Sequence, residues 1–117
     1  MYYKTQLGKI GEEIAQCYLL QNNYHIIETN FRCRQGEIDI IETDENELVF
    51  IEVKTRTSKQ FGTPSEAVDY TKIKHILKVA EYYIYVKKIK NTYMRIDVIE
   101  VMMSHKGNMV RHLKQVV

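Results

Sequence analysis

Three residues in the stretch GEIDIIETDENELVFIEVKTR, positions 36–56, are of the types that handle phosphate chemistry: Asp39, Glu52 and Lys54. Two carboxylates held side by side repel each other. A hard divalent cation removes that cost, because it takes oxygen ligands from one or two carboxylates and keeps several waters for substrate phosphates. Whether the three residues meet depends on the segments that carry them. The first limb holds Ile38, Ile40 and Ile41, and the second holds Leu48, Val49, Phe50, Ile51 and Val53, a β-branched and aromatic content that favours strands. Between them Thr43 to Asn46 is short and polar, so the stretch reads as an antiparallel hairpin. A loop centred between Glu45 and Asn46 sets Asp39 opposite Glu52 and Glu37 opposite Lys54, whereas a loop one residue different sends the two carboxylates to opposite faces. The first register is the expectation, because it alone gathers Asp39, Glu52 and Lys54 on one face, with opposed Cβ atoms about 5 Å apart.

The flanking segments must frame this hairpin. Leu7 to Gln21 carries apolar residues at Leu7, Ile10, Ile14, Cys17 and Tyr18, the recurrence of an amphipathic helix, and Asn22-Asn23 offers it a stop. Glu12 lies off that stripe, in line with Ala15 and Leu19. Its spacing leaves two readings, solvent or the edge of the buried face pointing to a cleft, and Glu13 is the adjacent competitor. Tyr24 to Thr29 reads as a strand around Ile26 and Ile27, leading into a loop from Asn30 to Gln35 that carries Arg32 and Arg34. Together with Arg56 at the far end of the hairpin, these guanidinium groups either form a collar for phosphates or neutralise Glu37, Asp39 and Glu52 within the fold. Ser58 to Ser65, with Gly62 and the single Pro, reads as a loop. Ser65 to about Lys87 reads as a long helix capped by Ser65, with Lys72 on its polar side. Its Tyr82–Val86 run fits a strand equally well. Met94 to Met102 forms a strand with Ile96, Val98 and Glu100 on one face and Arg95, Asp97, Ile99 and Val101 on the other, and Met109 to Val117 returns as an edge strand. The expected architecture is α/β, in the order α-β-β-β-α-β-β, with a central mixed sheet flanked by helices.

Over the whole chain, 117 residues with 44% hydrophobic and 27% charged content fit one domain with a single core. A net charge of +2 permits nucleic-acid binding through a local patch without requiring it. No apolar run approaches the ~18 residues of a membrane span, and Met1-Tyr2-Tyr3-Lys4 lacks the apolar core of a signal peptide, so a cytoplasmic protein is expected. Cys17 and Cys33 are isolated and read as reduced thiols. The four histidines lack metal-ligand spacing; His75 follows Lys72 and reads either as a solvated helix residue or as a phosphate contact.

The pattern of an Asp followed by a Glu-X-Lys resembles the PD-(D/E)XK nuclease superfamily at Asp39, Glu52 and Lys54, with Ile38 in place of the Pro that names the motif. A longer series is more specific. It comprises Gly11-Glu12, Asn30-Phe31-Arg32, Gly36-Glu37-Ile38-Asp39, Phe50 to Arg56, Phe61-Gly62 with Pro64, Ala67 and Val68, then Lys72, and Arg95-Ile96-Asp97-Val98. It resembles the YraN-like family of small bacterial proteins, which is similar to archaeal Holliday-junction resolvases. The resemblance implies a restriction-endonuclease-like fold and a metal-dependent endonuclease acting on DNA phosphodiesters, branched or junction DNA included. Mg²⁺ or Mn²⁺ would sit on Asp39 and Glu52 with the Val53 carbonyl as third ligand, Lys54 would orient the attacking water, and Glu12 would serve as a further metal or water ligand. Arg32, Arg34, Arg56 and Lys72 are the expected nucleic-acid contacts. Cutting both strands of a junction needs two catalytic centres, which implies a homodimer. The alternative on the same fold is a non-catalytic nucleic-acid-binding or protein-interaction module.

Overall fold

The hairpin lies at the centre of a five-stranded sheet in the computed structural model, which describes residues 5–57 and 61–117. Strands β2 (Gly36–Asp44) and β3 (Glu47–Arg56) pair antiparallel through Asp44–Glu47, Ile41–Phe50 and Ile40–Ile51, the register that puts Asp39 next in line with Glu52. Glu45, at φ 56, makes the tight turn between them. Strand β1 (His25–Cys33) flanks β2, and β4 (Tyr93–Ser104) lies parallel to β3 along its length, from Glu47–Tyr93 to Arg56–Met102. A parallel neighbour requires a crossover. The chain supplies it with a one-turn helix α2 (Pro64–Ala67) and the long helix α3 (Tyr70–Val86), and β5 (Gly107–Leu113) closes the order β1-β2-β3-β4-β5. Helix α1 (Gln6–Gln21) covers the other face. The result is a mixed sheet between helices, consistent with a restriction-endonuclease-like fold.

Alternation along the strands sorts the core into two layers. Leu48, Phe50, Ile96 and Val98 pack with Ile73, Ile76, Val79, Ala80 and Tyr83 of α3, while Val49, Ile51, Ile99 and Val101 pack with Ala15 and Leu19 of α1. The Tyr82–Val86 run is therefore helical, and Tyr83 places its ring edge-on to Phe31 and Phe50 at 4.9 and 5.8 Å. The expected long helix is broken in two: Thr63 and Glu66 form a capping box on α2, and Asp69 caps α3 by accepting from the backbone N–H groups of Thr71 and Lys72. Cap side chains competed successfully with helix propensity here. Strand β1 runs on to Cys33, so Arg32 belongs to a strand, not to a loop. Of the expected loop, Ser58 to Gln60 lie outside the described residues, and Phe61 to Thr63 form neither helix nor strand.

Helix α1 turns a different face inward from the one its apolar stripe suggested. Its buried residues are Gly11, Glu12, Ala15 and Leu19, while Leu7 and Ile10 stay 38% exposed and Cys17 is exposed. Small side chains let the helix axis approach the sheet. A Cβ at Gly11 would lie 1.9 Å from Thr55 Oγ1. No helix among the described residues is long and apolar enough to cross a membrane.

The α1 side of the sheet also buries charge. Arg95 donates to Asp97 (3.0 Å), Glu47 (2.9 Å) and Asp44 (3.1 Å), and Asp97 also accepts from the Gln115 backbone N–H (2.8 Å). His112 Nε2 lies 2.7 Å from Asp97 Oδ2 and its Nδ1 lies 3.0 Å from the Tyr18 hydroxyl. A carboxylate can only accept, so Nε2 carries the proton. Burial pushes the Asp97 carboxyl up, but the bonds from His112, Gln115 and Arg95 outweigh it and hold the group below its ordinary value. Glu42 is fully buried in the same layer with no hydrogen-bond donor on either oxygen among the described residues. Burial, then the Asp97 charge, raises its carboxyl from 4.5 to about 8. The two groups oppose each other. Asp97 contributes stability above its ordinary pKa that is lost as pH falls through its lowered one; Glu42 contributes stability that is complete below 4.5 and is lost as pH rises toward 8. Glu42→Gln, which keeps the shape of the protonated acid, should raise the melting temperature at pH 8, and the gain should vanish near pH 4.5. Thermal melts of both proteins across that range check this, and a gain that does not depend on pH would contradict it.

Candidate functional site

The strand pairing opens at Asp39. Residues two apart on a strand normally share a face, yet Ile38 packs in the α3 layer and Ile40 in the α1 layer. Opposite Asp39, between the pairs Thr29–Ile40 and Phe31–Ile38, Asn30 adopts φ 55, a conformation Asn tolerates better than most residues. The β2–β3 ladder ends at Ile40–Ile51. Beyond it the Asp39 side chain reaches across the gap, and Val53 N–H donates to its Oδ2 at 2.8 Å. A side chain thus occupies a place where the sheet would otherwise use a backbone carbonyl.

Glu52 follows from the alternation of β3. It shares the α3 side with Leu48 and Phe50, beside Val98 of β4, and is buried. Neither of its oxygens has an aligned hydrogen-bond donor among the described residues. Two ammonium groups stand at ion-pair distance instead, Lys72 Nζ at 3.1 Å and Lys54 Nζ at 3.6 Å. Asp39, Glu52 and Lys72 line one cleft of about 180 Å³, together with Gln35, Glu37 and His75. Gly36, at φ 145, leads the chain into its wall and lies against Val79. Of the expected residues, the structure therefore brings together Asp39, Glu52, Lys54 and Lys72. Asp39 and Glu52 are the expected carboxylates that share the cleft, where Glu37 is paired with Arg32 and His75 adds an imidazole; no group of three or more His, Cys, Asp or Glu side chains gathers as a metal cage among the described residues.

The other expected residues lie elsewhere. Glu12 is buried on the α1 side of the sheet, one residue from the contact of Gly11 with Thr55, and is not part of the cleft lining. Arg32 pairs with Glu37 at 3.3 Å, and Arg34 is exposed in the β1–β2 turn next to Gln35. Arg56 is drawn to Glu100, 3.5 Å away, beside a separate depression lined by Phe61, Gly62 and Glu66. Arg111 donates to the same Glu100 at 2.6 Å and lies over the Phe61 ring. The supposed collar is thus divided, with Arg34 and Lys72 near the cleft and Arg56 engaged away from it. His75 is the cleft residue that helical spacing left undecided: three positions after Lys72 on α3, it shares that residue's face, and the fold turns the face toward Glu52.

A family model described as "Uncharacterised protein family UPF0102" matches residues 11–101. The chain belongs to this family. It is 48% identical to a UPF0102 protein of Caldicellulosiruptor saccharolyticus over 107 residues, covering 92% of this chain and 91% of that one. It is also 50% identical to one of Caldanaerobacter subterraneus over 98 residues (84% and 80%) and 46% identical to one of Clostridium tetani over 103 residues (88% and 84%). The matched span contains Glu12 and every cleft residue. It begins at Gly11, whose lack of a side chain seats α1 on Thr55. Gly11→Ala should therefore destabilise the protein by about 1–3 kcal/mol, as overpacking does, seen as a melting temperature lower by several degrees. An unchanged melting temperature would mean that Thr55 moves aside at no cost.

Proposed function

We propose that the chain is a metal-dependent endonuclease of the PD-(D/E)XK type acting on DNA phosphodiesters. The observation that carries this reading is the convergence of Asp39 and Glu52 on one narrow cleft, at the point where the β2–β3 ladder opens, with Lys54 beside them. The donor set suits a hard cation. Both oxygens of the buried Glu52 lack hydrogen-bond donors among the described residues, and a cleft whose acids outnumber its single imidazole and which holds no thiolate matches Mg²⁺ or Mn²⁺, which keep several waters, better than zinc. Asp39 and Glu52 would hold the ion, with the Val53 carbonyl as the third protein ligand. When bound, the ion supplies a Lewis acid for a phosphoryl oxygen and a lower pKa for water.

The chain's own groups do the rest. The bond from Val53 N–H pins the Asp39 carboxylate, so its orientation is set before substrate arrives. Lys54, held by Glu52, would position the attacking water and offset charge on the phosphate. The cleft, of about 180 Å³, has room for a phosphate group. Lys54, Lys72 and the nearby Arg34 supply cations for contact with the phosphates of the DNA backbone. A branched substrate cut on both strands would engage a homodimer.

Glu52 and Lys54 have different tasks, so a pair of variants tests the mechanism. Glu52→Gln should lose Mn²⁺ binding in calorimetry and also lose cleavage. Lys54→Ala should keep Mn²⁺ binding while turnover on a panel of duplex, flap and four-way-junction DNAs falls by ~100-fold or more. If both variants fold, and the parent binds DNA but cleaves none of the panel with either metal, the chain is a binding module. For DNA affinity, Arg34→Ala should lower the slope of log affinity against log salt by about one phosphate's worth. Arg56→Ala should leave that slope unchanged and reduce thermal stability through Glu100; equal slopes for Arg34→Ala and the parent would remove Arg34 from the interface.

A further inference from the structure

We infer that Lys72 is a resident counter-ion of Glu52 which a divalent cation displaces, and which then moves to the substrate's phosphate, so that cation and DNA bind cooperatively. The inference rests on the metal-dependent reading above. Glu52 is only 2% exposed and takes no aligned hydrogen bond from the described residues, so ammonium groups are what balance its charge. The two that do so are not equivalent. Lys54 is fixed in the central strand and its side chain is 15% exposed; the Lys72 side chain is 57% exposed, yet it approaches closer, 3.1 Å against 3.6 Å. Asp69 holds the Lys72 backbone at the start of α3 by accepting from its N–H at 3.3 Å. The backbone therefore stays in place, while the four-carbon stem gives the ammonium several rotamers.

A dication on Asp39 and Glu52 would compete with Lys72 for the Glu52 carboxylate and repel its charge at close range. Lys54 has little room to leave. Lys72, mostly exposed and itself part of the cleft lining, would leave for a phosphate bound in the same cleft. Each partner then removes an obstacle for the other: the cation frees Lys72 for the phosphate, and the phosphate holds Lys72 away from Glu52. Such coupling is reciprocal.

The test compares the parent with Lys72→Gln and Lys74→Gln, the latter removing a charge from another face of the same helix. Mn²⁺ affinity is read by calorimetry. Affinity for a short duplex DNA is read by fluorescence anisotropy with and without Ca²⁺, and melting confirms that each variant is folded. Lys72→Gln should bind Mn²⁺ more tightly by about 5-fold or more, and Ca²⁺ should raise its DNA affinity by a smaller factor than it does for the parent. Lys74→Gln should match the parent in both. Unchanged Mn²⁺ affinity in Lys72→Gln, or an equal gain in Lys74→Gln, overturns the exchange. A parent that binds no Mn²⁺ overturns the metal-dependent reading and the exchange with it. A parent that binds Mn²⁺ with the expected Lys72 effects but cleaves no DNA supports the exchange and defeats only the hydrolytic reading.

Discussion

A carboxylate in the middle of a parallel pair of strands must be neutralised where it stands, and Glu52 sets that condition for the α3 side of this molecule. Its neighbours on the same face, Leu48 and Phe50, provide no polar group, and the adjacent residue on β4 is Val98. Isolated buried charges are so costly that they are paired or they neutralise. Here α3 is placed to bring Lys72 to one oxygen while β3 itself brings Lys54 to the other. Asp69 caps α3 there and accepts from the Lys72 backbone N–H, which fixes the start of the helix beside Glu52.

The ladder opens at Asp39, directly beside this charge. With Asn30 in a left-handed conformation opposite it and Ile38 turned to the other layer, the β2–β3 pairing ends one position short of Glu52. Asp39 then has two functions in one residue: it satisfies Val53 N–H, and it adds a second carboxylate to the cleft. Irregularity of this kind beside a charged cleft is where sheets commonly re-aim side chains.

The two faces of the sheet handle buried charge differently. On the α1 side Arg95 answers three acids, and His112 and Gln115 tie the C-terminal segment to Asp97. Only Glu42 lacks a hydrogen-bond donor there among the described residues, and it responds by holding its proton up to about pH 8. That layer is closed. On the α3 side Arg56 and Arg111 balance Glu100, but the charges beside Glu52 come from lysines with long stems, one of them largely in solvent, so that balance can be rearranged by a ligand.

Much of this was legible in the residues alone. The β-branched limbs around a short polar turn determined the hairpin, and the register followed from the charged residues, because a loop of the other parity would put Asp39 and Glu52 on opposite faces. The two faces of β4 followed from simple alternation, and the order of elements followed from the change of period along the chain. The tertiary structure decided what hydropathy could not carry. Which face of α1 turns inward depended on the size of Gly11 and Ala15, since close approach to Thr55 outweighs the larger apolar area of Leu7 and Ile10. Whether an arginine is a rim residue or an internal counter-ion depended on partners far along the chain, as with Arg56 and Glu100. His75 and Lys72 are ordinary exposed helix residues in sequence; they became part of a cleft only because the crossover from β3 to β4 lays α3 across the opened end of β2, a long-range placement that no local pattern encodes.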